Sequence, residues 1–145
     1  MKKLIGKVIT RIYKDDDDRH LGFLTNDNQL LVYWAFGDCC SDTWFESIEF
    51  PENIIGLPVL SIEALDFPKP EDVSDYEILK VYGISIKTMS GTTTIEYRNA
   101  SNGFYGGECD YLTTFTIDNP GNIISVNLPG EGLTDMKEIH IKNKE

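Results

Sequence analysis

Short runs of β-branched and aromatic residues recur along the whole chain, separated by Asn, Asp, Gly or Pro. This pattern is typical of β-strands joined by tight turns. In residues 29–36 both alternating sets of side chains are apolar, which predicts a central strand covered on both faces. Residues 51–56 read as one helical turn, since Pro51 suits the first position and Gly56 the end. We therefore predict a mainly β fold, an antiparallel sandwich or rolled sheet with one short helical turn.

The clearest predicted hairpin joins residues 78–89 to residues 92–99 through a loop of Ser90 and Gly91. A loop of two residues would place Met89 opposite Thr92. Counting back along both strands puts four apolar side chains on one face: Ile84, Ile86, Ile95 and Tyr97. We expect this face to be buried.

A second hairpin is predicted around Asn119-Pro120-Gly121-Asn122, which fits a type II turn. Its register would set Ile117 opposite Ile124. Residues 137–142 alternate like a half-exposed final strand, and the proline-rich residues 67–75 read as the main loop.

Length and charge narrow the class of protein. At 145 residues the chain is expected to form a single domain, residues 1–145, with one real core. Its 24 acidic and 13 basic residues give a net charge of −11, so on average it repels phosphate backbones, and no nucleic-acid partner is expected. Residues 30–36 are the longest apolar run, too short to cross a membrane. The basic start lacks an apolar signal core, which together with three cysteines favours the cytoplasm.

The adjacent Cys39 and Cys40 raise the question of a reactive or metal site. Neighbouring side chains on an extended backbone point to opposite faces, so both would rarely reach one metal. The nearby acidic residues oppose the lowered thiol pKa that a nucleophile needs. We therefore predict buried, metal-free thiols in a structural corner, ahead of structural zinc or catalysis. The corner comprises Asp38, Cys39, Cys40, Trp44 and Cys109.

Two similar runs support a structural role for this corner. Residues 33–39 and 103–109 both read aromatic, glycine, acid and cysteine in that order. Two strand ends built alike are expected to lie side by side. The acidic run 15–18 is interpreted as a solvated loop tip, because calcium loops alternate carboxylates with spacers and a glycine.

Residues 100–107 are the strongest candidate for a binding surface. Three glycines there leave backbone bare beside two aromatics, an arrangement that can seat a flat ligand or a partner's side chain, and the alternative is a turn with a bulge. The candidate residues are Arg98, Asn102, Phe104, Tyr105, Gly106 and Gly107. No catalytic residue, metal site or cofactor is predicted, because no phosphate loop, dinucleotide fingerprint, nucleophile elbow or HExxH motif occurs.

Several segments together resemble an uncharacterised family of small phage, prophage and bacterial domains. They are the Asp38-Cys39-Cys40 corner, the run Ile55-Gly56-Leu57-Pro58-Val59-Leu60, and Ser101-Asn102-Gly103-Phe104-Tyr105. The likeness covers residues 4–111, so residues 112–145 would be a C-terminal β extension. The resemblance implies a phage or mobile-element setting, and the cytoplasm in question would then be the host's.

Three functions follow as hypotheses. The first is a non-enzymatic binding module that engages a host protein, favoured by the acidity and the lack of catalytic groups. The second is a protein that binds or sequesters a small, nucleotide-like ligand. The third is an acidic mimic of a nucleic acid, although the sequence shows no single acidic stripe.

Overall fold

The computed structural model describes residues 1–65, 71–74, 77–102 and 106–141, and within them the fold is mainly β. The strands in chain order are β1 (Ile9–Lys14), β2 (His20–Thr25), β3 (Gln29–Gly37), β4 (Asp42–Glu49), β5 (Ser61–Leu65), β6 (Glu71–Ser74), β7 (Glu77–Thr88), β8 (Gly91–Ser101), β9 (Gly107–Thr116), β10 (Ile123–Leu128) and β11 (Gly132–Glu138). Short 3-10 helices occupy Lys2–Leu4 and Pro51–Ile54. The second of these confirms the predicted helical turn.

Two antiparallel sheets contain these strands. The first has the order β10-β11-β1-β2-β3-β9 and curls into half a barrel. The second has the order β4-β8-β7-β5, with β6 also paired to β7. The chain crosses from the first sheet to the second between β3 and β4, at the cysteine corner. The mainly β, rolled-sheet prediction is confirmed.

The first sheet buries both of its faces. One face packs against the second sheet in a hydrophobic cluster that we call the first cluster, whose members include Phe23, Tyr33 and Ile95, all 0% exposed. The other face lines the inside of the curl, where Val32 packs in a cluster with Met136. Alternate residues of β3 enter the two clusters, so the predicted central, doubly covered strand is confirmed.

Two glycines let the sheets meet closely beside the cysteine corner. Gly37 of β3 lies opposite Gly107 of β9, which confirms the expected pairing of the two similar strand ends. A Cβ on Gly107 would lie 2.8 Å from Cγ2 of Thr43 and 2.9 Å from Cβ of Asn99. Since Thr43 and Asn99 are paired residues of the second sheet, the bare backbone is what permits this approach.

The first predicted hairpin forms, with its register displaced by two residues. Thr88 pairs with Gly91, so the loop is Met89-Ser90, and Ile84 rather than Ile86 faces Ile95. A shift of two keeps every side chain on its face. Ile86 and Ile95 are accordingly buried, while Ile84 and Tyr97 pack partly exposed against the same first cluster. The shared apolar face is confirmed, but its full burial and its facing pairs are wrong.

The second predicted hairpin is wrong. β9 pairs with β3 and β10 pairs with β11, which places β9 and β10 at opposite edges of the first sheet. Gly121 does not adopt the positive φ that a type II turn requires. Instead the connection crosses the curl, where Tyr13 Oη donates to the Gly121 carbonyl at 2.7 Å and Arg11 Nη1 to the Pro120 carbonyl at 2.9 Å.

The predicted final strand and the predicted main loop also differ from the structure. The final strand is β11, and residues 139–141 follow it without strand structure. The predicted main loop contains β6, while residues 66–70 and 75–76 lie outside the described residues. In the part of the chain that the structure describes, no helix has the length and apolar character needed to cross a membrane.

Candidate functional site

The predicted binding surface around residues 100–107 is only partly described, because Phe104 and Tyr105 lie outside the described residues. Gly107 has a structural role, since its amide donates to Tyr82 Oη at 3.1 Å and its Cα faces the second sheet. Arg98 is held by carboxylates, with Nε 2.7 Å from Glu96 Oε2. Gly106 is half-buried and Asn102 is exposed. These residues therefore stay candidates.

Cys39 and Cys40 lie at the centre of a turn, residues 38–41, which we call the cysteine turn. Both are exposed free thiols, so the prediction that they are buried is wrong. The turn is closed by the Ser41 amide and hydroxyl, which donate to the Asp38 carbonyl at 3.2 and 2.7 Å. Cys40 has φ +70°, so the argument from extended backbone does not apply to this pair.

Trp44 and Cys109, the other two side chains of the predicted corner besides Asp38, lie on strands outside the cysteine turn. Cys109 sits on β9 opposite Ala35 and is partly buried against the first cluster, and burial raises the pKa of its thiol to about 12. Trp44 lies on β4 and donates from Nε1 to Glu46 Oε2 at 2.6 Å.

The acidic run folds into a turn, residues 15–20, which we call the acidic turn, and its first carboxylate is buried. Asp15 is 5% exposed and accepts from the amides of Arg19 and His20 at 2.9 and 3.0 Å. Its other oxygen accepts from Nδ1 of His20 at 2.6 Å. Burial alone would raise the pKa of Asp15, but these hydrogen bonds outweigh it and lower the pKa. The interpretation as a solvated loop tip is therefore wrong for Asp15.

The Asp15–His20 pair is buried, although both residues border a groove of about 490 Å³ that Glu131 and Asp135 also line. The His20 side chain is 3% exposed, and its Nε2 is buried without a hydrogen-bond partner among the described residues. A general base must reach the proton that it removes, directly or through one water. Within the described ranges, no three His, Cys, Asp or Glu side chains lie together in a way that could hold a metal ion.

A groove of about 400 Å³ opens between the two sheets, and we call it the intersheet groove. Its apolar lining comes from Leu21, Phe45, Ile48, Pro51 and Ile139. Leu21 and Phe45 are buried, while Ile48 and Ile139 pack partly exposed against the first cluster. The groove therefore presents apolar surface that the fold itself does not fully cover.

Charged residues of both signs line the rest of the intersheet groove. Lys14 and Lys137 lie directly opposite each other on β1 and β11, an arrangement of like charges that would be unfavourable alone. The acidic turn offsets it, because Lys14 Nζ lies 2.7 Å from Asp18 and Lys137 Nζ 2.9 Å from Asp16. These pairs leave a rim that is polar and nearly balanced in charge.

The walls of the groove come from three distant segments, 14–21, 45–51 and 137–140. β4 carries an irregularity at Glu46, where the register shifts between Phe45 and Ser47. Such bulges often re-aim side chains beside functional sites. The sequence shows the weak alternation of residues 44–50, and that signal could have indicated the irregularity but not its partners.

Most of the chain is similar to one family of domains. A family model described as "Domain of unknown function (DUF7448)" matches residues 2–111. No curated protein and no solved structure matches the chain. The matched residues contain two of the three walls of the intersheet groove, whereas the wall at 137–140 lies beyond them.

Proposed function

The chain belongs to the DUF7448 family of domains of unknown function, and we propose that it is a non-enzymatic binding module whose intersheet groove engages a segment of another protein. We also propose that the gene belongs to a phage or prophage and that the partner is a protein of the host. Its setting is supported by the resemblance of the cysteine corner and the 55–60 and 101–105 runs to phage and prophage domains.

The intersheet groove is the observation that carries this proposal. Protein interfaces have an apolar centre inside a polar rim, and the groove repeats that arrangement with Phe45 and Ile48 inside and Lys14 and Lys137 at the edge. A few anchor side chains at such a centre supply most of the binding energy. At about 400 Å³ the groove has room for one or two anchors, so the remaining contact area would lie around it.

The burial of the Asp15–His20 pair supports the proposal that the domain is not an enzyme. The pair has the chemistry of a general base, but its hydrogen bonds tie the acidic turn together and leave its ring 3% exposed. A catalytic role would need a substrate to reach Nε2, and that atom is buried although His20 borders a groove of about 490 Å³.

The proposal is tested by placing a photo-crosslinking residue at Ser47, which lines the groove, in bacterial lysate. Ser125 on β10 is the matched control, since it is an exposed strand serine outside the groove. We expect position 47, and not position 125, to capture one protein reproducibly. The purified partner should then bind Ser47→Trp at least ~10-fold more weakly than Ser125→Trp, because the indole fills the groove. Equal capture or equal affinity at the two positions would contradict the proposal.

A small anionic ligand is the second candidate, and a specific observation favours it. Lys14, Lys137 and His140 bring basic groups to one side of the groove in a chain of net charge −11. The ion pairs of both lysines with aspartates weigh against it, because a phosphate would have to replace those partners. Calorimetric titration with nucleotides decides between the two, since only the ligand hypothesis expects saturable heat that is lost in Lys137→Ala.

A further inference from the structure

Two thiols of the cysteine turn are open to solvent and directly adjacent. Cys39 and Cys40 are both exposed and free, and they occupy the two central positions of the turn. The two thiols lie on neighbouring residues of one tight turn, and interaction with the Cys40 thiol raises the pKa of Cys39. Cys109 is partly buried on β9 and lies outside the turn.

The backbone of the turn is what makes the pairing possible. On extended backbone two adjacent side chains point to opposite sides. Cys40 instead has φ +70°, the left-handed region in which glycine is the favoured residue. A cysteine there holds an unfavourable conformation, and such conformations concentrate at functional sites. The hydrogen bonds of Ser41 to the Asp38 carbonyl hold the turn closed.

We propose that Cys39 and Cys40 form a two-thiol site that chelates a soft, thiophilic centre, either a trivalent arsenical or Cu(I). Thiolate sulfur is the ligand type that selects such centres. No third His, Cys, Asp or Glu joins them in a metal-binding cluster within the described residues, so the centre must be one that two sulfurs satisfy. This site is separate from the intersheet groove and does not rest on its function.

The chelation step needs no oxidant. An aryl arsenical of the type RAs=O condenses with both thiols, so that two As–S bonds form and the As=O bond breaks. The two thiol protons leave with the oxygen as one water, and arsenic stays trivalent. Cu(I) replaces the same two protons and also keeps its oxidation state.

The experiment titrates the reduced, full-length chain with phenylarsine oxide and follows it by intact-protein mass spectrometry. We expect one reagent per chain with the loss of one water, stable to a monothiol and reversed by a small dithiol. Removing either thiol leaves a single sulfur, so Cys39→Ser and Cys40→Gly should weaken binding by about 10²-fold or more. Cys40→Gly is the informative variant, because glycine suits the left-handed position and keeps the turn.

Cys109→Ser is the matched control, since it removes a cysteine but keeps the adjacent pair, and its binding should equal that of the unmodified chain. Competition with a chromogenic Cu(I) chelator forms the second arm and separates the metal ion from the metalloid. Binding of either probe that is lost in Cys40→Gly supports the site. Equal binding by Cys40→Gly and the unmodified chain, or binding of neither probe, would overturn it.

Discussion

The acidic turn and the cysteine turn carry the two runs of residues with the most suggestive chemistry, and they use that chemistry in opposite ways. In the acidic turn, Asp15 accepts hydrogen bonds from inside the turn, and Asp16 and Asp18 pair with lysines of the first sheet. In the cysteine turn, both thiols remain open to solvent. The difference shows that a run of reactive side chains is a candidate site only where its groups stay exposed and take no part in holding the fold together.

The acidic turn also contacts the strand that follows the cysteine turn, which sharpens the contrast. Arg19 of the acidic turn pairs with Asp42 and donates to the Thr43 carbonyl at 3.1 Å, just after the cysteine turn. The Phe45 amide donates to the Asp18 carbonyl at 2.7 Å. The acidic turn therefore fastens β4 of the second sheet to the first, while the thiols beside it take no part in that fastening.

The largest expected effect comes from Asp15→Asn. This change removes the buried charge that accepts from the His20 ring and from two amides, and breaking a buried pair on one side costs about 3–5 kcal/mol. Urea unfolding should show this loss of free energy of unfolding. Asp17→Asn, on an exposed neighbour, should stay within about 0.5 kcal/mol. If the two variants lost equal stability, the acidic turn would not be structural and the contrast with the cysteine turn would fail.

The pH dependence of stability tests the same carboxylate without relying on one variant alone. Its pKa is lower in the folded state than in the unfolded chain, so the ionised form favours folding. The stabilising contribution is complete above about pH 4, the ordinary pKa of an aspartate, and is lost as the pH falls through the lowered folded-state value. The unmodified chain should thus lose stability in acid more steeply than Asp15→Asn. Parallel curves of unfolding free energy against pH would show that Asp15 is not the group responsible.

The strand ends beside the cysteine turn are expected to be rigid even though the turn is open. A methyl on Gly107 would lie 2.9 Å from Cβ of Asn99, an atom that cannot move without its backbone. Gly107→Ala should therefore cost about 1–3 kcal/mol, the range for overpacking. Gly121→Ala is the control, because nothing lies within 4 Å of its added methyl. Thermal unfolding of the two variants compares them, and an unchanged Gly107→Ala would mean that the sheets do not meet tightly here.

The difference between the two hairpin predictions explains which parts of the fold a sequence can reveal. Face assignment depends on alternation alone, so the apolar face of Ile84 and Ile95 was predictable despite the register shift of two. Pairing partners depend on contacts between distant segments. Phe115 and Ile124 do enter one cluster, but across the curl of the sheet and not across a ladder. Their apolar pattern is the same in both arrangements, so the sequence could not distinguish them.

The candidate sites were less predictable than the fold, for related reasons. The sequence drew attention to Cys39 and Cys40, but both are exposed in a turn in which Cys40 has a left-handed φ that no neighbouring residue type requires. The intersheet groove depends on Lys137 returning beside Lys14, a pairing of opposite ends of the chain. Local sequence patterns contain no information on which distant strands pair.

The smallest expected effect is on the stability of the cysteine turn, and it completes the contrast with Asp15. Cys39→Ser should change the free energy of unfolding by less than about 0.5 kcal/mol, because an exposed thiol loses no packing. Cys40→Gly should leave stability unchanged or raise it by up to about 1 kcal/mol, since glycine relieves the left-handed conformation. Urea unfolding of both variants beside Asp15→Asn measures the three on one scale. A loss above about 2 kcal/mol in either cysteine variant would mean that the thiols hold the turn, because exposed groups that are free of the fold do not contribute that much.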